Sequence, residues 1–81
     1  MYYVYIIRSI KYSNQTYIGF TENLDQRMNS HNQGHVPHTS KFKPWEIITT
    51  ISFLDKKQAL SFEKYLKSGS GRQFAYKHFF C

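Results

Sequence analysis

Residues 16–34 read TYIGFTENLDQRMNSHNQG, and the periodicity changes within that one passage. "TYIGF" is aromatic and β-branched, which predicts a strand over 16–20. Asn23 offers a side-chain oxygen to a helix start, with Gln26 three residues on in the capping-box position. The helix is expected from about Leu24 to Asn32, with Gly34 as its stop. Within it Leu24, Arg27, Met28 and His31 recur at i, i+3, i+4 and i+7 and share one face. Asp25, Gln26, Asn29 and Ser30 occupy the other. An arginine and a histidine therefore point where the apolar residues point, in a chain of only 81 residues. A domain of that size buries roughly 60% of its unfolded surface, so polar groups on a core-facing stripe are costly.

Upstream, "YYVYIIRS" (2–9) reads as a first strand, joined to the second through the polar "IKYSNQ" in an antiparallel hairpin. Period two puts Tyr3, Tyr5 and Ile7 on one face and Val4 and Ile6 on the other. Tyr17 and Gly19 share a face. A turn centred near Lys11 would set Tyr5 opposite Tyr17, with Gly19 leaving space for a ligand or a helix. Downstream, "HVPHTSKFKP" (35–44) reads as a loop and "WEIITTISFL" (45–54) as a third strand. "DKKQALSFEKYLKS" (55–68) reads as a helix capped by Asp55 and broken by Gly69 and Gly71. "RQFAYKHFF" (72–80) is expected to close the chain as a short helix or turn. The order β-β-α-β-α predicts an α+β fold over 1–81, a single domain with a small three-stranded antiparallel sheet flanked by helices.

The second long helix repeats the anomaly of the first. Ala59, Phe62, Glu63 and Leu66 share a stripe, so Glu63 lies inside an apolar sector beside Leu60. Ionised groups so placed need a partner or a cleft. One reading is a structural Arg27–Glu63 salt bridge tying the helices together. The other is a polar cleft between two helices and the sheet, holding a cation, an anion site and a possible metal ligand.

Eleven Lys and Arg against five Asp and Glu give a formal charge of +6. The excess is concentrated in residues 56–81, where Lys56, Lys57, Lys64, Lys67, Arg72 and Lys77 face Glu63 alone. A one-sided basic surplus suits a polyanion such as nucleic acid, although lysines also serve solubility. Lys64, Lys67 and Arg72 are the candidate phosphate contacts. The lone cysteine, Cys81, cannot form an internal disulfide. With no signal-like N-terminus and no run near the ~20 apolar residues of a membrane span, it predicts a cytosolic protein. Fifteen aromatic side chains supply core bulk. The apolar "FFC" end either packs inward or offers a contact to a protein partner. His35 and His38 lack the Cys or carboxylate partners of a metal site. Trp45 reads as an anchor for the third strand.

Taken in order, these residues resemble the GIY-YIG nuclease domain in its minimal stand-alone bacterial form. Tyr17-Ile18-Gly19 is the intact second half-motif, and Tyr3-Val4-Tyr5 stands for the first. "YIGFTENLDQRMNSHNQG" is similar to the family's YIG-x-T-x-x-L-x-x-R-x-x-x-H-N-x-G, "KPWEII" to its third strand and "ALSFEKYLK" to the helix bearing its glutamate. The resemblance implies metal-dependent hydrolysis of DNA phosphodiesters, in the chemistry of repair or recombination, and leaves RNA open. By the same resemblance Glu63 would hold Mg²⁺ or Mn²⁺, Arg27 would bind the scissile phosphate, and Tyr5 and Tyr17 would flank the attacking water. One phenol would act as general base with help from His31, its pKa lowered by Arg27 and the ion. Phe20 stands where many members carry lysine, and Ala75 near where many carry asparagine. A catalytically weak or silent nucleic-acid-binding module, or a subunit of a larger complex, is the alternative.

Overall fold

The computed structural model describes residues 1–80; Cys81, and so any role for its thiol, lies outside them. The chain runs β1 (Tyr2–Ser9), β2 (Thr16–Thr21), α1 (Leu24–Asn32), α2 (Pro37–Ser40), β3 (Trp45–Phe53), α3 (Lys56–Lys67) and α4 (Gly69–Phe79). The sheet is antiparallel with order β2-β1-β3, as the α+β reading expects. The central β1 is covered on both faces, and Val4, Tyr5, Ile6 and Ile7 are fully buried. Val4 and Ile6 pack with Ala59, Leu66 and Ala75 of α3 and α4. Tyr5 and Ile7 pack with Trp45 and with Leu24 and Met28 of α1. Alternation along one strand thus builds a helix–sheet–helix stack, and its Tyr5 face is the one that carries polar chemistry.

The hairpin register differs from the expected one by two residues. Tyr5 pairs with Gly19 and Ile7 with Tyr17, so the turn centres one residue later, at Tyr12. A two-residue shift keeps every side chain on its predicted face, because the period is two. It changes what Gly19 is for. The space above Gly19 is filled by the Tyr5 phenol, and a Cβ there would overlap that ring. The register turns on Ser9, whose backbone N–H donates to Gln15 O at 3.0 Å.

Two other segments depart from expectation. Residues 37–40, read as loop, form the single-turn α2. Pro37 starts it, Val36 supplies no side-chain cap, and one turn has no periodicity to betray it. The C-terminal helix is longer than predicted and begins at Gly69. Ser68 ends α3 and caps α4 at once, its hydroxyl bonding Tyr65 O at 2.6 Å and accepting from Gly71 N–H at 3.2 Å. Gly71 is buried against the last turn of α3, where a Cβ would collide with the Tyr65 carbonyl. The glycines mark a tight corner between two helices, not the end of helical structure. Leu60 sits at the margin of the α3 stripe and is 40% exposed.

Candidate active site

The polar residues on α1 and the tyrosines of the sheet meet on the Tyr5 face. The Asn23 side chain accepts from Gln26 N–H at 3.1 Å and fixes the first turn of α1. Arg27 and His31, one turn apart, then project onto β1 and β2. Arg27 Nε–H donates to Tyr5 Oη at 3.1 Å. Tyr5 Oη lies 2.8 Å from His31 Nε2, and His31 Nδ1 lies 2.7 Å from Thr39 Oγ1. Thr39 Oγ1 donates in turn to Val36 O at 3.3 Å.

These bonds have one consistent direction. The Thr39 hydroxyl proton is spent on a carbonyl, so Thr39 Oγ1 accepts from His31 Nδ1–H. A neutral His31 then presents a bare Nε2, which accepts from Tyr5 O–H, and Tyr5 in turn accepts from Arg27. Burial, and after it the Arg27 charge, push the His31 pKa down to about 4, so the imidazole is neutral at physiological pH. Burial also raises the Tyr5 pKa above its usual value, outweighing the lowering from Arg27. The Arg27 pKa is raised, chiefly by its bond to Tyr5.

This balance corrects the expected setting of Tyr5. Arg27 is close enough to bond the phenol, yet desolvation dominates and Tyr5 holds its proton. Tyr5 and His31 are both fully buried. Neither presents surface to solvent. Tyr17 and Arg27 are partly exposed. The Tyr17 ring packs edge-on to His31 with centroids 5.2 Å apart and lies 6.3 Å from the Tyr5 ring. From the α3 side, the Lys67 ammonium lies 5.9 Å from the centre of the Tyr17 ring.

Glu63 lies one turn before Lys67 and bonds it at 3.2 Å. That is the ion pair found among the described residues, so the expected alternative of an Arg27–Glu63 bridge is not what the structure holds. The Glu63 side chain keeps about 20% of its surface exposed. Its charge reaches Tyr5, contributing to the raised phenol pKa. Among the described residues no three His, Cys, Asp or Glu gather as a metal cluster, and His35 and His38 are exposed. A single carboxylate open to water fits a hard, mostly hydrated ion such as Mg²⁺ or Mn²⁺. It does not fit zinc, which wants several nitrogen or sulfur ligands.

Of the candidate phosphate contacts, Lys67 and Arg72 line one groove beside Tyr17, while Lys64 is exposed outside it. Thr39 was not foreseen. It is buried, its hydroxyl sets the His31 tautomer, and its carbonyl accepts from Trp45 Nε1–H at 2.9 Å. Trp45 N–H is itself held by Asn32 Oδ1 at 2.6 Å, so β3, α1 and α2 lock together around the histidine.

A family model described as the GIY-YIG catalytic domain matches residues 1–77. The chain belongs to the GIY-YIG family. Its two half-motifs are the Tyr3–Tyr5 segment of the central strand and the Tyr17–Gly19 segment of the edge strand beside it. Among curated relatives, the structure-specific endonuclease subunit SLX1 of Debaryomyces hansenii is 38% identical over 73 residues, covering 82% of this chain and 21% of that protein. The protein of the same name from Podospora anserina is 38% identical over 69 residues, covering 78% and 20%. The chain therefore spans about a fifth of the length of these relatives. A solution NMR structure of a UPF0213 protein from Bacillus halodurans superposes with a TM-score of 0.57 at 26% identity, covering 98% of this chain and 87% of that one. No helix among the described residues is long and apolar enough to cross a membrane.

The neutral buried histidine has a consequence for stability. His31 takes a proton near pH 4 in the fold and near 6.5 when unfolded. Above about pH 6.5 it is neutral in both states and costs nothing. Between about 6.5 and 4 the unfolded chain binds a proton that the fold refuses, so stability falls as pH falls. Below about 4 the loss levels off, at roughly 3 kcal/mol for this group. Denaturant titrations at pH 7 and pH 4 on wild type and His31→Gln should show a steeper acid loss in wild type. Parallel pH profiles would exclude His31 as the source.

Proposed function

We propose that this GIY-YIG chain is a single nuclease domain that hydrolyses DNA phosphodiester bonds with the help of a divalent cation. The observation that carries the reading is Arg27. A chain belonging to this family turns a cation onto the face of the sheet that bears both half-motif tyrosines, bonds it to Tyr5, and gives it no carboxylate partner among the described residues. Such a guanidinium is oriented and free to take a phosphate oxygen through its remaining N–H groups. The names of the curated relatives, structure-specific endonuclease subunits, lend weight to cleavage of a nucleic acid.

In this reading Arg27 binds the scissile phosphate and offsets the negative charge that grows on it in the transition state. Tyr17, the partly exposed phenol, meets the attacking water; as phenolate it takes the water's proton. The oxygen then bonds to phosphorus as the bond to the leaving sugar oxygen breaks, and that oxygen is protonated from solvent. Tyr5, His31 and Thr39 work as a buried brace that aims Arg27 and Tyr17. Glu63 is the residue that would hold the divalent ion, most simply Mg²⁺ or Mn²⁺. Such an ion, when bound, supplies Lewis-acid stabilisation to the phosphate. Lys67 and Arg72 add positive charge along the path of the backbone.

Incubation with flapped, nicked, duplex and single-stranded DNA tests this. Cleavage of at least one substrate is expected in Mg²⁺ or Mn²⁺ and none in EDTA. Cutting that persists in EDTA would remove the metal from the reading. DNA binding without cutting under any divalent ion would leave a nucleic-acid-binding module instead.

A further inference from the structure

We propose that the groove beside Tyr17 is a docking site for an unpaired nucleotide of the DNA substrate, its phosphate held by Arg8 and Arg72 and its base laid against Tyr76. The inference rests on the nuclease reading of the neighbouring cluster and adds the kind of DNA that it takes.

The groove encloses about 780 Å³ between the β1–β2 turn, β2, the end of α3 and α4. Arg8, Lys67 and Arg72 line it, and among the described residues no Asp or Glu does. Lys67 is paired with Glu63, whereas Arg8 and Arg72 make no ion pair among the described residues. Two arginines with no ion-pair partner among the described residues, beside Lys67 in a concave wall, focus a positive field, which suits a phosphate. The same wall carries aromatic surface, Tyr17, Tyr76 and Phe80. Tyr76 is 68% exposed, a large ring standing in water on α4 with no core to fill. Cations next to an exposed ring form the pattern by which single strands are held, charge for the backbone and a ring face for the base. A paired base keeps its faces inside the duplex stack and cannot use the ring, so the groove favours an unpaired one.

Position completes the case. Tyr17 belongs to both the groove and the cluster around Arg27, and Lys67 spans them through its contact with the Tyr17 ring. A nucleotide in the groove would lie next to a phosphate on Arg27. The preferred substrate is therefore duplex DNA with a single-stranded segment adjoining the cut.

Binding measured by fluorescence anisotropy in EDTA, where cleavage plays no part, tests the site. Fluorescein-labelled flapped DNA and fluorescein-labelled blunt duplex of equal length are compared on wild type, Tyr76→Ala and Tyr76→Phe. Tyr76→Ala should weaken flap binding on the order of tenfold and duplex binding less than about twofold, with Tyr76→Phe restoring the flap preference. Because Tyr76 is largely exposed, the variants should melt with wild type. Equal affinity of wild type for flap and duplex, or an equal loss on both in Tyr76→Ala, would overturn the docking site while leaving the nuclease reading intact. A labelled deoxyadenosine monophosphate bound as tightly as the flap would overturn it in favour of a free nucleotide ligand. Failure to bind any DNA would sink both.

Discussion

Glu63→Gln is expected to lower DNA cleavage by about a thousandfold or more while melting temperature and DNA affinity stay close to wild type. The amide keeps the shape of the carboxylate and loses the charge that would hold a divalent ion. Lewis-acid stabilisation of a phosphoryl transition state is worth several kcal/mol, and each 1.4 kcal/mol is about tenfold in rate. The folded state loses little, because Glu63 has as its ion partner Lys67, one turn along α3 and about half exposed. Pairs of that kind contribute roughly 0.3–0.5 kcal/mol. The measurement is single-turnover cleavage in Mg²⁺ beside a thermal melt and an anisotropy titration. A variant that cuts at the wild-type rate would remove Glu63 from the chemistry. A variant that unfolds would make it a structural residue.

The two anomalous stripes were the legible part of the site. Arg27 and His31 among apolar α1 positions, and Glu63 among apolar α3 positions, are visible to anyone counting at period 3.6, since a small domain has no surplus core positions for charged groups. The order of elements was equally open, because β-branched strands and capped helices announce themselves locally. What stayed hidden depends on distances between segments. The hairpin centre is set by the Ser9–Gln15 backbone bond within a polar turn, and hydrophobic pattern alone accepts either of two registers differing by two residues. The burial of Tyr5 and His31 follows from α1 packing on Tyr5 and α2 closing over His31, which no single helix reports. Thr39 is the sharpest case. Its role exists only because a one-turn helix returns it to a histidine eight residues earlier, and a short polar segment containing proline reads as loop.

That buried brace explains how so small a chain can set the geometry of an arginine. A flexible guanidinium on the surface samples many rotamers. Here its Nε is held by Tyr5, Tyr5 by His31, His31 by Thr39, and Thr39 by Val36 O and the Trp45 indole. Tyr5, His31 and Thr39 each commit both a donor and an acceptor, and no buried side-chain polar atom among the described residues lacks a partner. A fully satisfied network in a low-dielectric interior is stiff, and stiffness is what an anion site gains from it. The cost is the depressed basicity of His31, which is why acid should loosen this face of the sheet before the other.

Arg27→Ala separates a catalytic cation from a structural one. If Arg27 existed to pair Glu63, removing either partner would strand a buried charge and cost about 3–5 kcal/mol, with recovery in the double mutant. The structure has no such pair, and Glu63 bonds Lys67. Loss of the guanidinium leaves Tyr5 Oη bonded to His31, so no buried group is orphaned. The expected loss is about 1 kcal/mol, that of one hydrogen bond, and the double mutant with Glu63→Ala should be additive. Cleavage should fall far more, by roughly 10²–10³, because a positioned donor to developing phosphate charge acts only in the transition state. Arg27→Lys should recover little, since lysine lacks the planar fork that bonds Tyr5 at Nε while presenting its other N–H groups to a phosphate. Thermal melts of the two single mutants and the double, run beside single-turnover cleavage, test both halves. Large losses in both single mutants that cancel in the double would make Arg27 a structural ion-pair partner. Wild-type cleavage in Arg27→Ala would take the phosphate away from it.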